Sequence, residues 1–145
     1  MTVPASTALR SFGIGAIAGL RSLTAPAATF KLREGKVPLP LAALAAGELI
    51  GDKLPITPSR LSPPALGFRM ISGAVCGWYL ADALDGDKRL GAAFGVAGSL
   101  AGAFAGYYAR KALVEKAHVP DAIVAVVEDS LAVSAALALT RPAAA

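Results

Sequence analysis

The chain is organised as long apolar stretches separated by short charged or proline-rich connections. Five stretches are long enough for a helix of several turns, at about residues 7–30, 39–54, 65–84, 90–109 and 120–139. The fourth has twenty uncharged residues, a length that crosses about 30 Å of hydrocarbon. Within it, Gly98, Gly102 and Gly106 recur at every fourth position, a spacing that lets membrane helices pack closely. The pattern predicts an all-α integral membrane protein with about five transmembrane segments in one domain, residues 1–145.

Prolines interrupt this pattern in two places. In the first segment Arg21 is followed by Pro26, which predicts that the helix bends or breaks around residues 21–26. Between the second and third segments, four prolines stand at positions 55, 58, 63 and 64. Each removes a backbone donor and restricts the residue before it, so we expect an extended loop there.

The composition also favours a bilayer over water. Hydrophobic residues make up 55% of the chain and charged residues 17%, whereas a soluble domain has about 25% charged residues. The net charge is +4, but the basic residues fall in connections between apolar segments. Lipid headgroups account for such residues better than a nucleic acid does, so we expect no nucleic-acid partner. The single Cys76 excludes an internal disulfide.

Residues eighty positions apart match one another along much of the chain. The identities that composition explains least are Lys31 with Lys111, Lys36 with Lys116, Pro40 with Pro120 and Glu48 with Glu128. They predict a repeat, residues 7–55 and 90–139, around a connecting helix at about 65–84. An odd number of spans between two helix pairs gives them opposite orientations, so we expect an inverted-topology repeat. Chance matches in a chain rich in Ala and Gly are the alternative explanation.

The basic residues divide almost evenly between the two sides of a five-span arrangement. The excess of Lys and Arg that sets membrane orientation is therefore weak. Either orientation satisfies the charge distribution, and the presence of both would permit an antiparallel homodimer. Orientation fixed by packing contacts is the simpler alternative.

Five ionisable residues within or beside the apolar segments are the candidate binding residues. Glu48 and Glu128 each follow a proline by eight residues, which places them roughly 12 Å into their helices. Asp52 shares a helix face with Glu48, Asp129 adjoins Glu128, and Arg21 lies within the first segment. Such residues usually face a cavity or pair with each other. They predict a site for a small ion or solute; a structural ion pair of Arg21 with one glutamate is the alternative, and Asp52 is more simply an interfacial helix end.

No arrangement of residues in the sequence indicates catalysis. His118 is the only histidine, and no serine has His and Asp partners at a spacing typical of nucleophilic catalysis. We therefore predict no catalytic residue, metal or cofactor, and a protein that is not an enzyme. A weaker hypothesis, an enzyme acting on lipid headgroups through Arg60 and Arg69, lacks a nucleophile.

Several of these residues carry a resemblance to a known group of proteins. They are Gly19-Leu-Arg-Ser22 followed by Pro26, the block Glu48-Leu-Ile-Gly-Asp-Lys-Leu-Pro55 with Thr57-Pro-Ser-Arg60, and Glu128-Asp129. Together they resemble an uncharacterised family of small, Ala/Gly-rich bacterial integral membrane proteins with an E-x-x-x-D-K-x-P block. The resemblance implies a multi-pass protein of the bacterial inner (cytoplasmic) membrane and implies no activity.

Two functions remain open from the sequence. The first is a small secondary transporter or channel-like carrier for a small ion or solute, with proton or cation coupling at carboxylates near the bilayer midplane. The second is a membrane scaffold or assembly subunit that transports nothing and whose buried acids pair with Arg21. Replacing the two glutamates by glutamine should abolish transport in the first case and mainly destabilise the protein in the second.

Overall fold

The computed structural model describes residues 5–51 and 61–140, and this part of the chain is all-helical. Its six helices are α1 (Ala5–Leu20), α2 (Thr24–Glu34), α3 (Leu39–Gly51), α4 (Pro63–Ala83), α5 (Lys88–Glu115) and α6 (Asp121–Leu139). The predicted all-α class and the break near Arg21 are confirmed. The break makes two helices of the first segment, so six helices stand where five segments were predicted. Most of the proline-rich loop, with Asp52 and Arg60, lies outside the described residues.

Two of these helices, α5 and α6, are long and apolar enough to cross a membrane by length and composition. The side chain of Asp87 caps α5 by accepting hydrogen bonds from the amides of Arg89 and Leu90, which defines where this helix begins. Pro63 and Pro64 open α4, where a missing amide hydrogen costs nothing. These local signals explain why the helix boundaries follow the sequence pattern closely.

Helices α1, α4 and α5 form the centre of the bundle and pack through glycines. A Cβ on Gly15 would lie 2.1 Å from the carbonyl oxygen of Gly95, and one on Gly77 would lie 2.2 Å from that of Gly91. Only a residue without a side chain permits such an approach. The predicted packing role of the α5 glycines is therefore confirmed at Gly98 and Gly102, whose added Cβ atoms would lie 2.0 Å from carbonyl oxygens of α1.

The turn after α1 reverses the direction of the chain. Along α4, Arg69 bonds to Gly19 and Gly77 accepts a bond from Ser11, so α4 runs antiparallel to α1. Ser72 of α4 bonds to the carbonyl of Ser22, and Cys76, one turn further along, contacts Thr29. Helix α2 therefore runs parallel to α4 and antiparallel to α1, which makes α1 and α2 a tight hairpin rather than one bent helix.

The inverted relation predicted between the two repeats is not found. Gly15 of α1 lies against Gly95 of α5, and Gly19 lies against Ser99 and Ala103. Residue numbers thus rise together along the two helices, so α1 and α5 are parallel, whereas an inverted repeat requires them to be antiparallel. The physical reason is the reversal at residues 21–23, which adds a helix to the first half of the chain and so changes the direction of every later helix.

Candidate functional site

The turn between α1 and α2 lies beside the middle of the longest helix. A Cβ on Gly19, two residues before the turn, would lie 2.2 Å from the carbonyl oxygen of Ser99. Ser99 is eleven residues into the 28-residue helix α5, about 17 Å along a helix of about 42 Å. The chain therefore reverses deep inside the bundle and not at its end.

Glu48 of α3 binds the start of α2. Its Oε1 accepts a hydrogen bond from the amide of Ser22 at 2.5 Å, and its Oε2 accepts one from the amide of Leu23 at 2.7 Å. These amides immediately precede α2, whose N-cap residue, Leu23, makes no side-chain capping bond of its own. The first amides of a helix carry a partial positive charge. The carboxylate therefore lies near the positive end of α2 and binds the turn that precedes this helix.

Arg21 occupies the turn itself and forms an ion pair with Asp129 of α6. The side chain of Arg21 is fully buried, and that of Asp129 is 14% exposed. A charge in such a position needs a partner, because its desolvation costs several kcal/mol. The ion pair ties the α1–α2 turn to α6.

Helix α4 supplies two more side chains to the turn. Buried Arg69 donates from Nη1 to the carbonyl oxygen of Gly19 at 2.8 Å, and the Ser72 hydroxyl donates to the carbonyl oxygen of Ser22 at 2.6 Å. The cation thus meets the negative end of α1 as the carboxylate of Glu48 meets the positive end of α2. We call this set of side chains around the turn the break site: Arg21, Ser22, Glu48, Arg69, Ser72 and Asp129.

The structure brings together three of the five predicted site residues, Arg21, Glu48 and Asp129. Arg21 pairs with Asp129, whereas the sequence-based alternative paired it with a glutamate. Asp52 lies outside the described residues. The sequence suggested Arg69 only for an enzyme acting on lipid headgroups, and the amides of Ser22 and Leu23 were not predicted as parts of a site. A basic residue six positions into an apolar helix is itself a signal of a buried charge.

Glu128 lies on the neighbouring side of α6, toward α5. One of its carboxylate oxygens is 3.9 Å from Nη1 of Arg110. Arg110 also forms a bidentate pair with Asp121, through Nε and Nη2 at 2.7 Å each. The sequence predicts that Glu48 and Glu128 are equivalent residues of one site, and these contacts do not reproduce that prediction. Glu48 bonds to the amides of Ser22 and Leu23, whereas Glu128 approaches Arg110 of α5.

Metal ions in proteins are bound mostly by His, Cys, Asp and Glu side chains. Within residues 5–51 and 61–140, no three His, Cys, Asp or Glu side chains are grouped so that they could hold a metal ion. The break site instead combines two guanidinium groups with two carboxylates. Comparison with known protein families, with curated proteins and with solved structures found no match to this chain.

Proposed function

We propose that this chain is a multi-pass protein of the bacterial inner membrane that acts as a small secondary carrier for a small ion or solute. The break site would be its coupling site. The proposal rests on one observation: a helix break that lies halfway along α5 is held by charged side chains from α3, α4 and α6. Discontinuous helices whose ends contact charged groups near the midplane are typical of secondary transporters.

A bilayer environment is supported by the distribution of polar and apolar side chains. Large apolar residues are exposed on several helices, including Leu39 at 81%, Ile50 at 67%, Ile71 at 64% and Leu131 at 63%. The largest fully buried side chains include the polar residues Arg21, Ser11 and Ser99 beside Ile14 and Leu80. Soluble proteins bury their aliphatic residues and expose their charged ones. Hydrocarbon around the helices would explain the many exposed apolar side chains, and this environment agrees with the resemblance to small bacterial membrane proteins.

The chemistry of the break site suggests how coupling would work. Glu48 holds α3 against the start of α2 only while its carboxylate can accept two amide hydrogens. Binding of a proton or a cation to this carboxylate would compete with those bonds and loosen α3 from the turn. The site would then exist in two arrangements whose balance depends on the bound ion, which is the requirement for coupled transport.

A scaffold without transport activity is the second candidate, and the ion pair of Arg21 with Asp129 favours it. A buried pair of this kind fixes how helices pack and needs no solute. The two functions differ in what they require of Glu48. A carrier needs its ionisable carboxylate, whereas a scaffold needs only an acceptor for the amides of Ser22 and Leu23.

Flux measurements on the purified protein in lipid vesicles test the proposal. Vesicles containing a dye sensitive to H⁺, Na⁺ or K⁺ are given a gradient of the same ion, and the dye response is compared for wild type, Glu48→Gln and Glu115→Gln. Glu115 is exposed at the end of α5 and serves as the matched control. We expect a gradient-driven flux in wild type and Glu115→Gln that Glu48→Gln reduces at least tenfold. Flux equal to that of empty vesicles with all three gradients, or undiminished flux in Glu48→Gln, would refute the carrier.

A further inference from the structure

A groove lies between α2, α3 and α6, on the outer side of the break site. Its volume is about 300 Å³, at the lower end of the range for small-molecule sites. Apart from one threonine and one lysine, the residues that line it are Ala, Val or Leu, so small apolar side chains leave this space between the three helices. The lining includes Thr24 and Lys31 of α2, Ala45 and Ala46 of α3, and Val133 and Leu137 of α6.

The groove carries a positive charge. Lys31 is the one charged residue among the described residues that line it. It is exposed and, within residues 5–51 and 61–140, forms no ion pair. Lys36 is also exposed and precedes Val37, another lining residue. The acidic residue closest to Lys31 along the chain, Glu34, lines a different groove on the side of α2 that faces α4, and the amide of Gly35 caps the carbonyl group of Lys31.

This charge lies at the end of the groove that is farther from the break site. Thr24 begins α2 at the turn beside the middle of α5, and Lys31 is seven residues further on, about 10 Å along the helix axis. On α6, Leu137 lies eight residues beyond Asp129, which pairs with Arg21 in that turn. In a bilayer whose hydrocarbon half is about 15 Å thick, the apolar walls would run from the middle toward one surface. The long side chain of Lys31 would then reach the lipid headgroups.

We propose that this groove binds an anionic phospholipid, with one acyl chain between α2, α3 and α6 and its phosphate at Lys31. Charge complementarity selects the headgroup, because Lys31 repels a cationic headgroup and gains less from a zwitterionic one. The direction of the groove selects a lipid over a water-soluble anion, because the apolar walls lie on the membrane side of the charge. The bilayer supplies this lipid directly, since Ala46 and Leu137 are exposed at the groove.

The inference goes beyond the proposed function, which gives this groove no role. It rests on that function only in placing the chain in a bilayer. Lipid binding is measured at equilibrium and requires no flux, so either proposal can fail while the other stands.

The test compares two lipids with the same acyl chains, dioleoyl phosphatidylglycerol and dioleoyl phosphatidylcholine. Their binding to the purified full chain in detergent micelles is measured by native mass spectrometry for wild type, Lys31→Gln and Lys111→Gln. Lys111 is exposed on α5 and does not line the groove, so it is the matched control. We expect wild type and Lys111→Gln to bind phosphatidylglycerol at least fivefold more tightly than phosphatidylcholine, and Lys31→Gln to reduce this preference to less than twofold. Equal affinities in wild type, or an unchanged preference in Lys31→Gln, overturn the proposal.

A second pair of variants tests the apolar walls without changing the charge. Ala46 lines the groove and is exposed, whereas Ala43 is exposed on the same helix and does not line it. Ala46→Phe should fill the groove and weaken phosphatidylglycerol binding at least fivefold, while Ala43→Phe should bind as wild type does. Wild-type binding by Ala46→Phe, or an equal loss in both variants, places the lipid elsewhere and overturns the proposal.

Oleate distinguishes the phospholipid from a free fatty acid, which has the same chain and also an anionic head. We expect more oleate than unlabelled phosphatidylglycerol to be needed to displace half of a deuterium-labelled phosphatidylglycerol from the wild-type chain. Displacement by less oleate than phosphatidylglycerol would assign the groove to a fatty acid and overturn the proposal.

Discussion

Replacing Glu48 removes the contact between α3 and the start of α2. Glu48→Ala deletes both acceptors of the Ser22 and Leu23 amides, which lie at 2.5 and 2.7 Å from the carboxylate oxygens. Glu48→Gln retains one oxygen acceptor, loses the negative charge and directs an NH₂ group toward the second amide. The two variants therefore separate the contribution of the charge from that of the hydrogen bonds.

The expected cost can be worked out from the geometry. A hydrogen bond to a charged group contributes about 1.5–3 kcal/mol, so two lost bonds without replacement would cost about 3–6 kcal/mol. Glu48 is only partly buried, and water replaces part of the loss. We therefore expect a decrease in the free energy of unfolding of about 3 kcal/mol for Glu48→Ala and of about 1.5 kcal/mol for Glu48→Gln.

The assay is reversible unfolding in mixed detergent micelles, followed by circular dichroism. Glu115→Ala, a change at an exposed glutamate at the end of α5, is the control and should alter stability by less than about 0.5 kcal/mol. A cost for Glu48→Ala no larger than that of the control would refute the hydrogen bonds to α2. Glutamine should still accept one amide hydrogen, whereas alanine accepts none. A Glu48→Gln variant less stable than Glu48→Ala would therefore refute this explanation.

Three further outcomes are expected from the packing and the ion pair. Gly15→Ala would place a Cβ 2.1 Å from the carbonyl oxygen of Gly95 and should lower the free energy of unfolding by about 3 kcal/mol. Gly47→Ala, where a Cβ meets nothing within 4 Å, should instead raise it by about 0.5–1 kcal/mol; equal effects in the two variants would contradict the close approach of α1 and α5. Asp129→Ala should cost about 3 kcal/mol by removing the carboxylate from the buried Arg21, and Arg21→Met combined with Asp129→Leu should recover most of that loss. If the double variant loses as much stability as Arg21→Met and Asp129→Leu lose separately, added together, the two residues do not interact.

The sequence pattern predicts well which segments are helical, because the residues that mark a helix act locally. Apolar length, Asp87 before α5 and Pro63 before α4 each act within one turn of the helix they define. Arg21 and Pro26 likewise predict the break after α1. They do not predict the direction of the chain beyond the break, because a bend and a reversal have the same local sequence and differ only in which helix the next segment packs against.

The identity of charge partners depends on that direction. Periodicity places Glu128 and Asp129 about 100° apart on α6 and does not say which of them faces α1. In the structure Arg21 pairs with Asp129, and the amides of Ser22 and Leu23, in the turn before α2, bond to Glu48. Matching residues eighty positions apart could not reveal direction, since parallel and antiparallel helices give the same identities.

The central claim is that the break between α1 and α2 is the coupling site of a carrier, which requires that water reach this buried turn during transport. Cysteine at position 22 or at position 101, each in a Cys76→Ala background, compares the break with an exposed residue of α5 at a similar level. The measurement is the rate of reaction with a charged, membrane-impermeant thiol reagent in sealed vesicles. A carrier predicts that Ser22→Cys reacts at least tenfold faster than Ala101→Cys. Equal, negligible rates at both positions would contradict the account and favour a scaffold.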